Sequence, residues 1–397
     1  MNEMIPASVG EVAPIAASLR QAIADATEGL VERHTLVELI VLSAVAQEHL
    51  LVIGPPGTAK SAAVHRVAET IGGRYFEYLL GRFTEPNEIF GPVDLRKLKE
   101  GVVETEVTGM LPEAEIAFLD EIFQGSTAIL NTLLGLLNER EFRRGHTRLR
   151  CPLRVCVGAS NALPEDESLA AFADRFLVRI FVEPVADSML EQLLEGGWRL
   201  TQEPVQRQAT LSDIDKLALL VRQVDMFRVR NALSQALRTL RTAGVGLSDR
   251  RAVKAQFLIA AAALLAGRTA PTEVDLWPLI FVVPTPQQQD IARDCLRDLL
   301  SATENSTLPS AAEEASAGPM ARAMRLANAG RSVLMAEPAS MEERIGWRLK
   351  LEGILREMDA SLAPEQRNAE LSEVRDSIVK VLDPATSGQE HATATPA

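Results

Sequence analysis

Residues 54–61 read Gly54-Pro55-Pro56-Gly57-Thr58-Ala59-Lys60-Ser61 and directly follow the apolar run Leu50-Leu51-Val52-Ile53. A short buried strand, a glycine-bearing turn and a Lys-Ser pair opening a helix can hold a triphosphate. The backbone N–H groups of the turn and the positive helix N-terminus face the phosphates. Lys60 can reach the β/γ oxygens, the Ser61 hydroxyl can ligate Mg²⁺, and Ala62 follows in the first helical turn. One position departs from G-x-x-x-x-G-K-[ST], because Ala59 stands where the second glycine belongs. Alanine adds only a methyl group, so the loop is expected to form with Ala59 at negative φ. Taken alone, the segment also reads as a Gly/Pro turn before an ordinary helix.

A second segment narrows the choice. In Ile116-Ala117-Phe118-Leu119-Asp120-Glu121, four apolar residues suit a strand buried on both faces of a parallel sheet. The two acids then sit at the strand's C-terminal end, where such sheets place ligands. Asp120 fits the Mg²⁺ shell, and Glu121 fits the base that polarises the attacking water. Two acids capping a following helix are the plainer alternative. Together the segments imply a nucleoside-triphosphate hydrolase.

Around these motifs strands and helices alternate. Helices are expected over 12–29, 36–46, 60–71 and 125–139, and strands over 49–53, 75–79, 115–120, 153–160 and 176–182. Five interleaved strands imply an α/β fold with a doubly wound parallel sheet. Everything after Pro184 reads as helical. Asn161 ends the strand 155–160, where an amide can orient the attacking water or bind the γ-phosphate; an Asn simply ending a strand before Pro164 is the alternative. Ala173-Asp174-Arg175-Phe176 places an arginine that nothing within the pattern requires. In a ring of subunits, such a residue can enter the neighbour's site.

With 397 residues, two or three domains are expected. Hydrophobic content of 47% with 24% charged residues marks a globular chain. The longest Ala/Leu-rich stretch, 257–266, is too short to span a bilayer, and the N-terminus carries no secretion pattern. Three cysteines without zinc spacing imply reduced thiols and a cytoplasmic location, and five scattered histidines form no metal-ligand pattern. A net charge of −13 argues against a surface dominated by nucleic-acid binding.

The ordered set GPPGTAKS, FLDEIF, ILNTLLGLLNEREFRRG, ASNALPE, ADRF and LSDRRA, covering roughly 25–300, resembles AAA+ ATPases of the MoxR family, most of all the RavA branch. That resemblance implies an AAA+ αβα core and an all-α lid. It implies Lys60 and Ser61 as Walker A, Asp120 and Glu121 as Walker B, Asn161 as sensor 1 and Arg175 as the trans-acting finger. Arg250 is the implied sensor 2, with Arg251 the alternative. The segment Leu30 to Arg33, including Val31 and Glu32, is implied to lie against the adenine, and Ala-Lys-Ser matches the family's own loop ending. ATP with Mg²⁺ is therefore implied over GTP. So are a homo-oligomeric ring, a hexamer, a von Willebrand A-domain partner, and a protein client such as a maturing metalloenzyme.

Two insertions bear on that client. Residues 81–109, with a hairpin expected around Lys99-Glu100-Gly101, resemble the helix-2 insert that faces the pore in this clade. Residues 140–148 resemble the hairpin before sensor 1. Arginines 140, 143, 144, 148 and 150 can grip an acidic partner or nucleic acid; a solvated hairpin or inter-subunit ion pairs are the plainer alternative. A nucleic-acid motor of the MCM-like type and a nucleotide-gated scaffold remain competing readings. The expected organisation is an N-terminal helix (1–30), nucleotide-binding core (31–186), lid (187–301), linker (302–319), C-terminal helical segment (320–383) and disordered tail (384–397). The C-terminal segment departs from the RavA pattern, since no β-rich insertion is visible in it.

Overall fold

The structure is a computed structural model that describes residues 9–202, 207, 209–336, 338, 341–361 and 369–382. It divides into two compact units, Met1–Pro184 with Trp198–Ser316, and Val185–Gly197 with Ala317–Ala397.

The first unit opens with α1 (Val9–Thr27), α2 (His34–Ala46), β1 (Leu50–Ile53), α3 (Lys60–Ile71) and β2 (Tyr75–Leu79). Two short helices, α4 (Pro86–Phe90) and α5 (Leu95–Lys99), precede β3 (Ile116–Asp120) and α6 (Thr127–Glu139). Then come β4 (Glu141–Arg144), β5 (Thr147–Arg150), β6 (Val155–Ser160), α7 (Glu167–Ala173) and β7 (Val178–Phe181). After α8 (Leu190–Leu200), the chain is helical throughout the described residues: α9 (Leu211–Val221), α10 (Phe227–Thr242), α11 (Asp249–Leu265), α12 (Leu279–Val282), α13 (Pro286–Cys295), α14 (Arg297–Leu300) and α15 (Pro309–Ala317).

The main sheet is parallel, in the order β2-β3-β6-β1-β7. Lying between β6 and β7, β1 is paired along both edges, and packed layers on both faces of the sheet bury all four of its apolar residues. Alternate residues feed two core layers. Leu50 and Val52 join α1–α3 and the later helices, whereas Leu51 and Ile53 join α6 and Phe142. Every C-terminal strand end therefore lies on one edge, with Ile53 opposite both Ser160 and Phe181. The Ala/Leu-rich stretch within 257–266 is the buried part of α11, and among the described residues no helix is long and apolar enough to cross a membrane.

Two expectations meet a different structure. Around residues 99–101 the chain forms the helical turn α5, closed by a single bridge between Val93 and Thr105, because Asp94 caps the backbone N–H of Arg96 and Lys97. Of the stretch 302–319, residues 302–316 pack as part of the first unit: Leu308, Ala311, Ala312 and Ala315 are buried, and Asn305 is anchored to Ala262 O. Its Ser/Thr/Asn content, which reads as a linker, supplies those anchors instead. The expected tail, 384–397, lies outside the described residues.

The second unit contains residues 185–197, with most of α8, and α16 (Pro319–Met335), α17 (Met341–Ser361) and α18 (Ala369–Leu382). Leu326, Ala327, Leu351, Ile354, Leu371 and Ile378 form its own core. Gly330 lets α16 approach closely, since a Cβ there would lie 3.0 Å from Ile378.

Candidate active site

The turn between β1 and α3 is shaped by its glycines. A Cβ on Gly54 would lie 2.2 Å from Val182 O, so the backbone passes where no side chain fits. Gly57 has φ 77°, and Ala59 has φ 56°, ψ 30°. Ala59 is thus left-handed, against the negative φ expected of an alanine, because the loop must turn there for Lys60 to begin α3. Thr58 Oγ1 donates to Pro55 O, and Lys60 Nζ donates to Gly54 O (2.6 Å) and Pro55 O (3.1 Å) across the loop. Burial pushes the Lys60 pKa down, while the nearby charges of Asp120 and Glu121 oppose that shift.

Asp120 and Glu121 leave the end of β3 on the same edge. Glu121 is also left-handed (φ 48°, ψ 45°), and its backbone N–H donates to Asp120 Oδ1 at 2.9 Å. Asn161, one residue past β6, donates from Nδ2 to Glu121 Oε1 at 2.6 Å. The sheet thereby gathers Lys60, Asp120, Glu121 and Asn161. Ser61 in the first turn of α3 and Asp120 offer the hard oxygen donors that suit Mg²⁺. Among the described residues no group of three or more His, Cys, Asp or Glu is placed to hold a metal. A cation here would therefore depend on phosphate oxygens for further ligands.

Arg33, expected only as the end of the adenine-side segment, has a clamping role the sequence reading missed. It is buried; its Nε donates to Thr58 O (2.7 Å) and its Nη2 to Glu183 O (2.8 Å). Val31 and Glu32 immediately precede this clamp, which fastens their segment to the phosphate loop. The only signal for it was a charged residue directly before an apolar helix.

Arg175 and Arg250 lie elsewhere. Arg175 comes three residues before β7, whose first residue pairs with Leu50, the first residue of β1. The phosphate loop follows the last pair, Ile53 with Phe181, so Arg175 belongs to the opposite edge of the sheet. Arg250 Nη2 pairs with Asp174 Oδ2 at 2.5 Å and shares that edge. Burial and the adjacent Arg250 both push the Arg175 pKa down, and Arg175 Nε is buried without a hydrogen-bond partner. Arg251 differs: it is 2% exposed and donates to Val282 O, Phe176 O, Leu177 O and Asp174 Oδ1. Arg251 pins α11 to the start of β7, whereas Arg250 keeps partial exposure.

The hairpin arginines divide as well. The Arg140 guanidinium turns inward to Gln47 O (2.7 Å) and Arg154 O (3.4 Å), and burial pushes its pKa down to about 10. It is unavailable to a partner. Beside it, fully buried His49 accepts at Nδ1 from Cys156 N–H and donates from Nε2 to Leu137 O. Arg143 and Arg148 share Glu141, Arg144 donates to Gly91 O, and Arg150 is exposed. The two expected insertions are joined, since His146 N–H donates to Val103 O and Thr105 N–H to Thr147 Oγ1.

A parallel sheet with this loop, an acidic pair after its third strand and a polar sensor after the next defines the P-loop ATPase class of AAA+ type. A family described as the MoxR domain in the MoxR-vWA-beta-propeller ternary systems matches residues 17–221, just over half of the sequence, and the chain belongs to that MoxR family. It is 35% identical over 247 residues to an uncharacterized protein of Methanocaldococcus jannaschii, covering 62% of this chain and 65% of that one. With the chaperone MoxR1 of Mycobacterium tuberculosis it shares 26% over 222 residues, 55% of this chain and 57% of the other. The crystal structure of a candidate ATPase of Cytophaga hutchinsonii superposes with a TM-score of 0.60 at 15% identity, covering 75% of this chain and 97% of that one, a likeness of fold alone. The chain spans 65% or less of the length of these curated relatives.

Proposed function

We propose that this protein is a Mg²⁺-dependent ATPase, nearest the RavA branch, that works as a homo-oligomeric ring, a hexamer, to remodel a client protein. The observation that carries this reading is the division of one functional set between two edges of the sheet: Lys60, Asp120, Glu121 and Asn161 on one, Arg175 and Arg250 on the other. A single subunit cannot close its own site with arginines across the sheet, but a neighbour in a ring can.

In that site, the loop 54–61 and the start of α3 present N–H groups to the triphosphate. Lys60 exchanges its carbonyl partners for β/γ-phosphate oxygens. Ser61 and Asp120 would hold Mg²⁺, which when bound would supply Lewis acidity to the phosphate oxygens. Glu121 takes a proton from water as its oxygen attacks the γ-phosphorus and ADP leaves. Asn161 fixes the carboxylate doing so, and the neighbour's Arg175 and Arg250 meet the charge on the transferred group. Val31 and Glu32 line the adenine side, carried on the Arg33 clamp. The family's own description, a ternary system with von Willebrand A and β-propeller components, supports a partner carrying a von Willebrand A domain. Metalloenzyme maturation is one such client role.

Glu121→Gln should bind ATP normally while turnover falls roughly 10²- to 10⁴-fold, the usual worth of a positioned base; undiminished hydrolysis would overturn the assignment. Arg175→Ala and Lys60→Ala subunits, each inactive alone, should regain activity when mixed, because some interfaces then join an intact loop to an intact finger. No recovery at any ratio in assembled protein counts against the ring reading.

A further inference from the structure

Glu38 is buried on an otherwise apolar stretch of α2, at 2% exposure. Its carboxylate accepts from Ser310 N–H at Oε1 (3.2 Å) and from Ala311 N–H at Oε2 (2.7 Å). These are N–H groups of the first turn of α15, which no intrahelical carbonyl can satisfy. The residue before Pro309 is Leu308, which carries no side-chain acceptor. Glu38 therefore caps a helix 272 residues away in sequence. A local Ser or Asp would cap α15 without linking it to anything.

The rest of the segment is fastened as deliberately. Asn305 Nδ2 donates to Ala262 O, and its Oδ1 accepts from Thr307 and Leu308 N–H. Arg20 reaches Ser306 Oγ at 2.9 Å. Residues 305–316 thus form a strap on the first unit, and the chain enters the second unit directly after it, at Ala317. The earlier passage into the second unit, after Pro184, is held one residue before by the Arg33 bond to Glu183 O. Arg33, the residue preceding α2, also grips Thr58 of the phosphate loop. One end of one helix thus touches the phosphate loop and the chain at two of its passages into the second unit.

We infer that the N-terminal turn and a half of α2, through Arg33 and Glu38, is the coupling element by which nucleotide at the phosphate loop changes the hold on the segments leading into the second unit. It rests on ATP binding at Lys60 as proposed above. Displacement of Thr58 on phosphate binding pulls on Arg33, and α2, a rigid buried helix, carries that shift to Glu38 and the strap. Glu38 touches neither the phosphate loop nor the acidic pair, so it acts by positioning alone.

Hydrogen exchange of the full-length protein tests this, with and without Mg²⁺ and a non-hydrolysable ATP analogue. Fluorescent-ATP binding is measured in parallel on wild type, Glu38→Ala and Glu38→Gln. In wild type, nucleotide should change exchange across 305–316 several-fold. In Glu38→Ala, exchange at residues 310 and 311 should rise roughly tenfold without nucleotide, the scale of losing a charge-assisted hydrogen bond. The nucleotide-dependent change should vanish while ATP affinity stays within about threefold. Glu38→Gln, which keeps an acceptor, should retain part of the response. Wild type that binds ATP without any change across 305–316 overturns the coupling and leaves the ATPase reading standing, and this arm decides the matter even where Glu38→Ala does not fold. A full response in folded Glu38→Ala overturns it equally. Wild type that fails to bind ATP overturns both readings.

Discussion

Two residues of the phosphate loop and the acidic pair hold backbone conformations their side chains disfavour. Ala59 and Glu121, at φ 56° and 48°, each cost roughly 1–2 kcal/mol in the left-handed region. The strain is local to the phosphate loop and the acidic pair, so the surrounding sheet must over-determine both turns. Glu38 carries a different tension. Burial pushes its pKa from 4.5 to about 7, against the opposing bonds from Ala311 and Ser310, and Glu313 of α15 is the other charge facing it. Because the folded value is raised, the proton is bound more tightly in the folded state. The stabilisation is full below about pH 4.5 and is lost as pH rises through about 7. That gap corresponds to an upper limit of roughly 3 kcal/mol. The stability of wild type relative to Glu38→Gln, measured by denaturant unfolding from pH 5 to 8, should therefore decline with rising pH; a constant difference would contradict the buried, titrating carboxylate. At this scale the phosphate loop, the acidic pair and Asn161 were legible, because their chemistry depends on local order in the sequence. The left-handed alanine and the Glu38 cap were not, since one depends on loop closure and the other on a contact across 272 residues.

At the scale of elements, the start of α11 separates two adjacent arginines that sequence could not distinguish. Both follow Ser248, whose side chain caps the helix. Helical geometry turns them about 100° apart, so Arg251 points into carbonyls at the start of β7 while Arg250 meets Asp174 with part of its surface free. Arg251→Met should leave four carbonyl and carboxylate acceptors short of donors and cost about 3–5 kcal/mol, seen as a lower unfolding midpoint. Arg250→Ala should change stability by no more than about 1 kcal/mol, because its pair is partly exposed, yet reduce ATP turnover strongly. The reverse pattern would exchange their roles. Strand and helix order was readable up to Phe181 because parallel strands buried on both faces show as unbroken apolar runs. The insert around residue 100 misled because Lys-Glu-Gly suits a hairpin turn and a helix end alike, and the Asp94 cap decided for the helix.

For the whole molecule, the boundary that matters lies at Ser316 rather than at the start of the Ser/Thr-rich stretch near 302. Composition suggested a flexible joint there, but polarity alone does not tell a solvated linker from a strap whose Asn305 and Ser306 are bonded to Ala262 O and Arg20. Two truncations separate these cases. Ending the chain after Ser316 removes α16–α18 but keeps Leu308, Ala311, Ala312 and Ala315 in place and leaves Glu38 capped. The remaining motor should bind ATP with unchanged affinity and unfold within a few degrees of the corresponding transition in the full chain. Ending it after Asn305 strips those four apolar side chains from the core and strands a buried carboxylate. The combined loss is several kcal/mol, lowering the midpoint by roughly 5–15 °C. Equal stability of the two truncations would mean that the strap contributes nothing to the motor. The longer truncation product also tests the role of the 317–397 part of the second unit, whose helices α16–α18 share their own core and follow every proposed nucleotide-site residue. If that part recruits the client or stabilises the ring, the product ending at Ser316 should hydrolyse or bind ATP as a subunit yet lose partner binding or assembly in sedimentation experiments. Full assembly and full client activity from it would remove that part from both roles.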